Sequence, residues 1–180
     1  MNLPNRLTIL RVCLIPVFVV LLMLDQRFPW ANYAALGVFI LASITDFFDG
    51  RIARKYNMVT NFGKFMDPLA DKLLVCSALI CLVYFHRILL AVVIVIVARE
   101  FIISGFRLVA AQQGLVLAAS KLAKVKTAVQ MIMICVLVLH IDNLAFRIIE
   151  NVLIWAALVL TIVSLIEYLV KNRSVMKGEM

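Results

Sequence analysis

The 180-residue chain has few turn-forming and few acidic residues: six Gly, four Pro and only ten Asp and Glu together. No low-complexity tract, soluble domain or linker can be recognised, which predicts a single domain over residues 1–180. The four cysteines fall inside apolar runs without paired spacing, which argues against a disulfide framework or a zinc site. No soluble basic module is present, so nucleic acid is not expected as a partner.

Apolar residues are abundant instead, at 65% of the chain, which is more than a soluble core of this length could bury. They form six segments, at residues 7–24, 33–49, 68–85, 88–111, 123–141 and 152–170. Each segment is about as long as a helix that crosses ~30 Å of hydrocarbon, and none alternates as a strand would. No small-residue cleavage site follows the first segment, so we read it as a membrane helix. The sequence predicts an all-α integral membrane protein with six transmembrane helices.

Lysine and arginine are distributed unevenly between the two ends of these segments. With the N-terminus in the cytoplasm, three of the 18 basic residues, Arg27, Arg87 and Arg147, lie on the far side. The other fifteen lie towards the cytoplasmic face, as the positive-inside rule requires. We therefore expect a multi-pass protein of the cell membrane with both termini cytoplasmic. Its basic face would attract anionic headgroups and phosphorylated solutes.

Four aspartates lie where the second apolar segment ends and the third begins: Asp46, Asp49, Asp67 and Asp71. Spacings of three and four residues put each pair on one face of its helix. If helices 2 and 3 pack antiparallel, the two pairs can face each other at the cytoplasmic side. Four carboxylates placed in this way make an all-oxygen site for hard divalent cations. Two ions would offset their charge better than one, and two-metal sites suit reactions at phosphorus.

Small and basic residues accompany these aspartates. Gly50 and Gly63 let a ligand or a neighbouring helix approach the backbone closely, and Arg54 could pair with a carboxylate or bind a phosphate. Alternatively, the aspartates are interfacial charges paired with Arg51, Arg54, Lys64 and Lys72. The number and helical spacing of the acids favour the metal site, because ionisable groups in membrane segments are usually functional.

The whole arrangement resembles the signature of the CDP-alcohol phosphatidyltransferases at all eight fixed positions: Asp46-x-x-Asp49-Gly50-x-x-Ala53-Arg54, eight residues, Gly63-x-x-x-Asp67-x-x-x-Asp71. The resemblance implies a membrane enzyme that uses two Mg²⁺ or Mn²⁺ ions, moves the phosphatidyl group of a CDP-linked lipid onto an alcohol, and releases CMP. It also implies a homodimer. By the same resemblance Asp46, Asp49 and Asp67 are metal ligands, and Asp71 is a ligand, the catalytic base, or both. The cytidine diphosphate is associated with the following group: Asp46, Asp49, Gly50, Ala53, Arg54 and Gly63.

A second basic group lies in the fourth and fifth segments. Arg99 and Arg107 are eight residues apart and so share roughly one helix face, and Lys124 and Lys126 follow in the fifth segment. Such cations recognise phosphate directly, which favours a pocket for an anionic acceptor, sn-glycerol 3-phosphate. Positive-inside topology with anionic-lipid contacts is the alternative. Glu100 follows Arg99 directly, and since adjacent helix residues do not face each other, we do not expect the two to pair.

Three further stretches, NLPNRLTILR, AREFIISGFRL and KLAKVKTAVQM, are similar to those of bacterial family members that make phosphatidylglycerol phosphate. These proteins use CDP-diacylglycerol and glycerol 3-phosphate, so we expect both as substrates, with membrane lipids as surroundings. Asn5, Thr8 and Arg11 either line the rim of the site or anchor the helix at the interface. Inositol phosphate, serine or a phospholipid remain alternative acceptors. A divalent-cation transporter is a further alternative, disfavoured because the acids are confined to the cytoplasmic third.

Overall fold

A computed structural model describes residues 3–28, 30–55, 61–112 and 120–172, and the elements in these ranges are all helical. They are α1 (Leu3–Met23), a short 3-10 helix (Leu24–Gln26), α2 (Ala31–Lys55), α3 (Asn61–Tyr84), α4 (Leu90–Gln112), α5 (Lys121–Leu139) and α6 (Leu144–Lys171). The expectation of an all-α chain with six long helices is therefore confirmed for the described residues.

Four helices, α1, α2, α3 and α6, are longer than the apolar segments that predicted them, and α1 begins at Leu3 instead of residue 7. α2 continues through its polar end to Lys55, and α3 begins at Asn61, so that Pro68 lies inside the helix rather than at its start. α6 begins eight residues before the predicted position 152, after Asn143, whose side-chain oxygen accepts a hydrogen bond from the Ala145 amide at 3.1 Å. Helical hydrogen bonds do not need apolar side chains, so hydropathy underestimates helix length.

The chain divides into two compact units. The first unit contains Met1–Arg87 and Cys135–His140, and the second contains Ile88–Ile134 and Ile141–Met180. The single domain over residues 1–180 stays a prediction.

In the first unit α1 packs against both α2 and α3. The rings of Phe18 and Phe39 lie 5.6 Å apart between α1 and α2, and both are fully buried. Ala42 of α2 and Ala78 of α3 are also fully buried, and such small side chains let helices approach closely. This packing holds the aspartate-bearing helices together around α1.

The second unit is formed by α4, α6 and residues 120–134, and α4 packs against α6. Four polar side chains of α6 are buried, whereas many of its large apolar side chains are exposed. The buried face includes Glu150, Thr161, Ser164 and Tyr168, and the exposed face includes Ile148, Val152, Trp155, Val159, Ile162, Val163, Ile166 and Val170. Water would favour the reverse arrangement, so this helix is suited to a lipid solvent.

Two helices in the described part of the chain, α5 and α6, are long and apolar enough to cross a membrane. Thr8–Met23 of α1 and Ala31–Thr45 of α2 form shorter apolar helices. Length and composition therefore support a membrane protein, while the number of six crossings stays a prediction.

Candidate active site

The four aspartates lie in the C-terminal half of α2 and the N-terminal half of α3. Both helices are continuous at these positions, so the spacings of three and four residues put each pair on one face of its helix. The two helices contact each other in the first unit. Only residues 56–60 join Lys55 to Asn61, which limits the distance between these helix ends to about 22 Å.

Asp71 is the one aspartate of the four whose side chain is described, and it is half-buried. The side chains of Asp46, Asp49 and Asp67 lie outside the described residues. So do the environments of the remaining predicted nucleotide-binding positions, which are Gly50, Ala53, Arg54 and Gly63. Among the side chains that are described, no group of three or more His, Cys, Asp or Glu could hold a metal ion. Carboxylates remain the donor type that Mg²⁺ and Mn²⁺ prefer, so the residues present fit the predicted ions.

Two polar side chains of α1 are buried within the same unit. Thr8 and Arg11 are both fully buried, three residues apart on the helix that packs against α2 and α3. A fully buried guanidinium requires anionic or polar neighbours. Thr8 and Arg11 were predicted either to line the rim of the site or to anchor the helix at the lipid–water interface. Full burial does not fit an interfacial anchor, so it favours a place beside the aspartate-bearing helices. The side chain of Asn5 lies outside the described residues.

A cluster of three charged side chains lies in the second unit. Glu100 of α4 accepts a hydrogen bond from Nη1 of Arg99 at 3.2 Å, and the same Oε1 atom pairs with Nζ of Lys126 of α5. Lys126 is fully buried and Arg99 nearly so. The expectation that Arg99 and Glu100 do not pair was wrong. Their Cβ atoms point about 100° apart on the helix, but both side chains are long enough to reach around it.

The four cations predicted to bind the acceptor are divided between buried and exposed positions. Arg99 and Lys126 come together through Glu100, and Arg107 is an electrostatic neighbour of Arg99 with an exposed side chain. Lys124 is exposed, because it lies two residues from Lys126 and so points to the other side of α5. Whether these residues bind a phosphate stays a prediction.

Several buried polar groups in the second unit did not appear among the residues that sequence reasoning selected. Gln130 Oε1, Thr161 Oγ1 and the Tyr168 hydroxyl are buried without a hydrogen-bond partner in the part of the chain that the structure describes. Gln130 follows Lys126 by four residues, so the two share one face of α5. This spacing could have identified Gln130 from the sequence. Thr161 and Tyr168 resemble ordinary residues of an apolar helix, and only packing reveals that they face inwards.

Comparison with known proteins adds to this geometry. The family model described as CDP-alcohol phosphatidyltransferase matches residues 1–163. The chain therefore belongs to the CDP-alcohol phosphatidyltransferase family, as the aspartate signature predicted, and that family consists of membrane proteins.

Similar members of the family share one name. A protein of Bacillus subtilis (strain 168) is 45% identical, over 98% of this chain and 97% of its own. A protein of Rickettsia typhi is 43% identical over 91% and 92%, and one of Shigella flexneri serotype 5b is 37% identical over 96% of each chain. Each of the three is a CDP-diacylglycerol–glycerol-3-phosphate 3-phosphatidyltransferase.

Proposed function

We propose that this protein transfers the phosphatidyl group of CDP-diacylglycerol to sn-glycerol 3-phosphate, giving phosphatidylglycerol phosphate and CMP. The observation that carries this proposal is the aspartate signature, which lies on two contacting helices. The chain also matches CDP-diacylglycerol–glycerol-3-phosphate 3-phosphatidyltransferases over nearly its full length. The buried cations of the second unit are consistent with a phosphorylated acceptor.

The proposed mechanism assigns the chemistry to the first unit. Asp46, Asp49, Asp67 and Asp71 would hold two Mg²⁺ or Mn²⁺ ions. Such ions, when bound, neutralise charge on a pyrophosphate and improve CMP as a leaving group. Asp71 is the proposed base, because a carboxylate within hydrogen-bond reach can take the proton of the acceptor hydroxyl as it attacks phosphorus.

The same aspartate-bearing helices would hold the nucleotide. Gly50, Ala53 and Gly63 have little or no side chain, so a cytidine diphosphate could lie close to the helix backbone. Arg54 would bind a phosphate oxygen of that group through its guanidinium. The acceptor phosphate is assigned to four cations: Arg99, Arg107, Lys124 and Lys126.

The proposed setting is the cell membrane, with six crossings, both termini in the cytoplasm and the active site facing that side. Acyl chains would then stay in lipid while the soluble acceptor arrives from water. Many large apolar side chains are exposed on α1, α4 and α6, and lipid or a second copy of the chain would cover them. We include a homodimer in the proposal. A fluorescent protein that folds only in the cytoplasm, fused to the C-terminus, tests the orientation.

The central test is CMP release by purified protein in detergent micelles with CDP-diacylglycerol. We expect release with glycerol 3-phosphate, loss of release with a chelator, and recovery with Mg²⁺ or Mn²⁺. Inositol phosphate, serine and a phospholipid serve as competing acceptors. Faster release with one of these would assign a different acceptor, and no release with any acceptor would overturn the proposed function.

A further inference from the structure

Glu100 is the one carboxylate on α4 and α5, and it contacts cations from both helices. Its Oε1 atom accepts from Nη1 of Arg99 on its own helix and from Nζ of Lys126 on the neighbouring helix. Its side chain is 23% exposed, against 6% for Arg99 and none for Lys126. Nothing in the family signature or in the predicted acceptor site includes this residue.

Full burial makes the Lys126 ammonium dependent on a nearby anion. A buried ammonium without one would be costly to keep charged, and its flexible stem would turn towards water. The contact with Glu100 offsets this cost and holds the ammonium at a defined place on α5. The Glu100 carboxylate therefore keeps the Lys126 ammonium both charged and fixed in position.

The contact with Glu100 does not use the whole guanidinium of Arg99. Nη1 of Arg99 donates to Glu100, whereas Nε of Arg99 is buried without a hydrogen-bond partner among the described residues. A guanidinium binds phosphate best along an edge, with two parallel N–H···O bonds. The edge formed by Nε and Nη2 is the one that the Glu100 contact does not use.

We propose that Glu100 is a positioning residue for the acceptor, fixing Arg99 and Lys126 so that together they bind the phosphate of glycerol 3-phosphate. This rests on the proposed function. Glu100 itself does not contact the phosphate, because two anions repel; it stays on the opposite side of the cations. Two cations and one carboxylate leave a net charge of +1, which Arg107 raises to +2, matching a phosphate monoester of about −2.

The test compares the wild type with Glu100→Gln, which keeps the side-chain shape but removes the charge, and with Glu100→Asp, which keeps the charge on a shorter stem. We expect Glu100→Gln to raise KM for glycerol 3-phosphate about tenfold or more, with KM for CDP-diacylglycerol changed less than about twofold. The KM of Glu100→Asp for glycerol 3-phosphate should lie between those of the wild type and Glu100→Gln. Glu167→Gln is the matched control, since Glu167 of α6 is an exposed carboxylate that accepts from Ser120.

A binding measurement separates this inference from the proposed function. Calorimetric titration of each variant with glycerol 3-phosphate, and with inorganic phosphate, needs no turnover. We expect Glu100→Gln to weaken both by a similar factor. Binding by Glu100→Gln as tight as wild type, or tighter because the carboxylate competes with phosphate, would overturn the positioning role, and so would a wild type that binds neither. Failure of wild-type CMP release overturns the proposed function alone.

Discussion

Arg87 and Asp25 form an ion pair of 2.5 Å that ties the loop after α3 to the residues after α1. The same guanidinium donates from Nη1 to the carbonyls of Leu137 and Val138, at 3.1 Å and 3.2 Å, near the C-terminal end of α5. Asn32 adds a bond to the Leu139 carbonyl at 3.0 Å. Carbonyls in the last turn of a helix have no partner within it, so these donors complete α5.

Replacing Arg87 with Met should lower the free energy of unfolding by about 3 kcal/mol, because it leaves the Asp25 carboxylate without its cation in a buried place. The two side chains are only 8% and 15% exposed. Arg147→Met is the matched control, since its pair with Asp142 is 65% and 85% exposed and should contribute about 0.3 kcal/mol. Unfolding in mixed micelles measures both. Equal losses would contradict the assigned role of Arg87.

Replacing Asp46, Asp49, Asp67 or Asp71 with Asn one at a time should reduce CMP release by about a thousandfold, because each change removes a charged ligand or the base. Asp142→Asn is the control, as an exposed carboxylate outside the predicted site. Initial rates over a range of Mg²⁺ and Mn²⁺ concentrations are the measurement. Retention of most activity by any of the four variants would remove that residue from the predicted metal site.

Replacing Arg11 with Met should destabilise the first unit by about 3 kcal/mol or more, because a fully buried cation is removed from beside the groups that surround it. Arg11→Lys should recover part of the loss, since it restores the charge without the planar fork. Arg27→Met, at an exposed position after the 3-10 helix, serves for comparison. Thermal unfolding in detergent gives the order of the variants. An Arg11→Met protein as stable as wild type would show that burial of this charge does not matter.

Removal of either of two hydroxyls on the buried face of α6 should change the free energy of unfolding by different amounts. Ser164 donates to the Thr161 carbonyl at 3.1 Å, so Ser164→Ala should cost about 1 kcal/mol. Thr161 Oγ1 has no hydrogen-bond partner among the described residues, so the nearly isosteric Thr161→Val should be neutral or slightly stabilising. Equilibrium unfolding measures the free energy of unfolding of both variants. A large loss in Thr161→Val would reveal a partner for this hydroxyl, such as water or a ligand.

The helices and the acidic motif were predictable because both depend on local spacing. Six apolar runs predicted six helices, and spacings of three and four residues placed Asp46 with Asp49 and Asp67 with Asp71. The helix ends were less predictable. Asn143 caps α6 nine residues before its predicted apolar run begins, since a cap depends on one polar side chain and not on hydropathy.

Composition and spacing were thus sufficient for the membrane-protein class, the helical architecture and the family signature, because each is written in residues close together along the chain. Packing alone brought Glu100 to Lys126, 26 residues away, and Arg87 to Asp25 and the end of α5. Such contacts depend on which helix faces meet. The burial of Thr161 and the exposure of Trp155 on α6 likewise arise only when helices pack against one another.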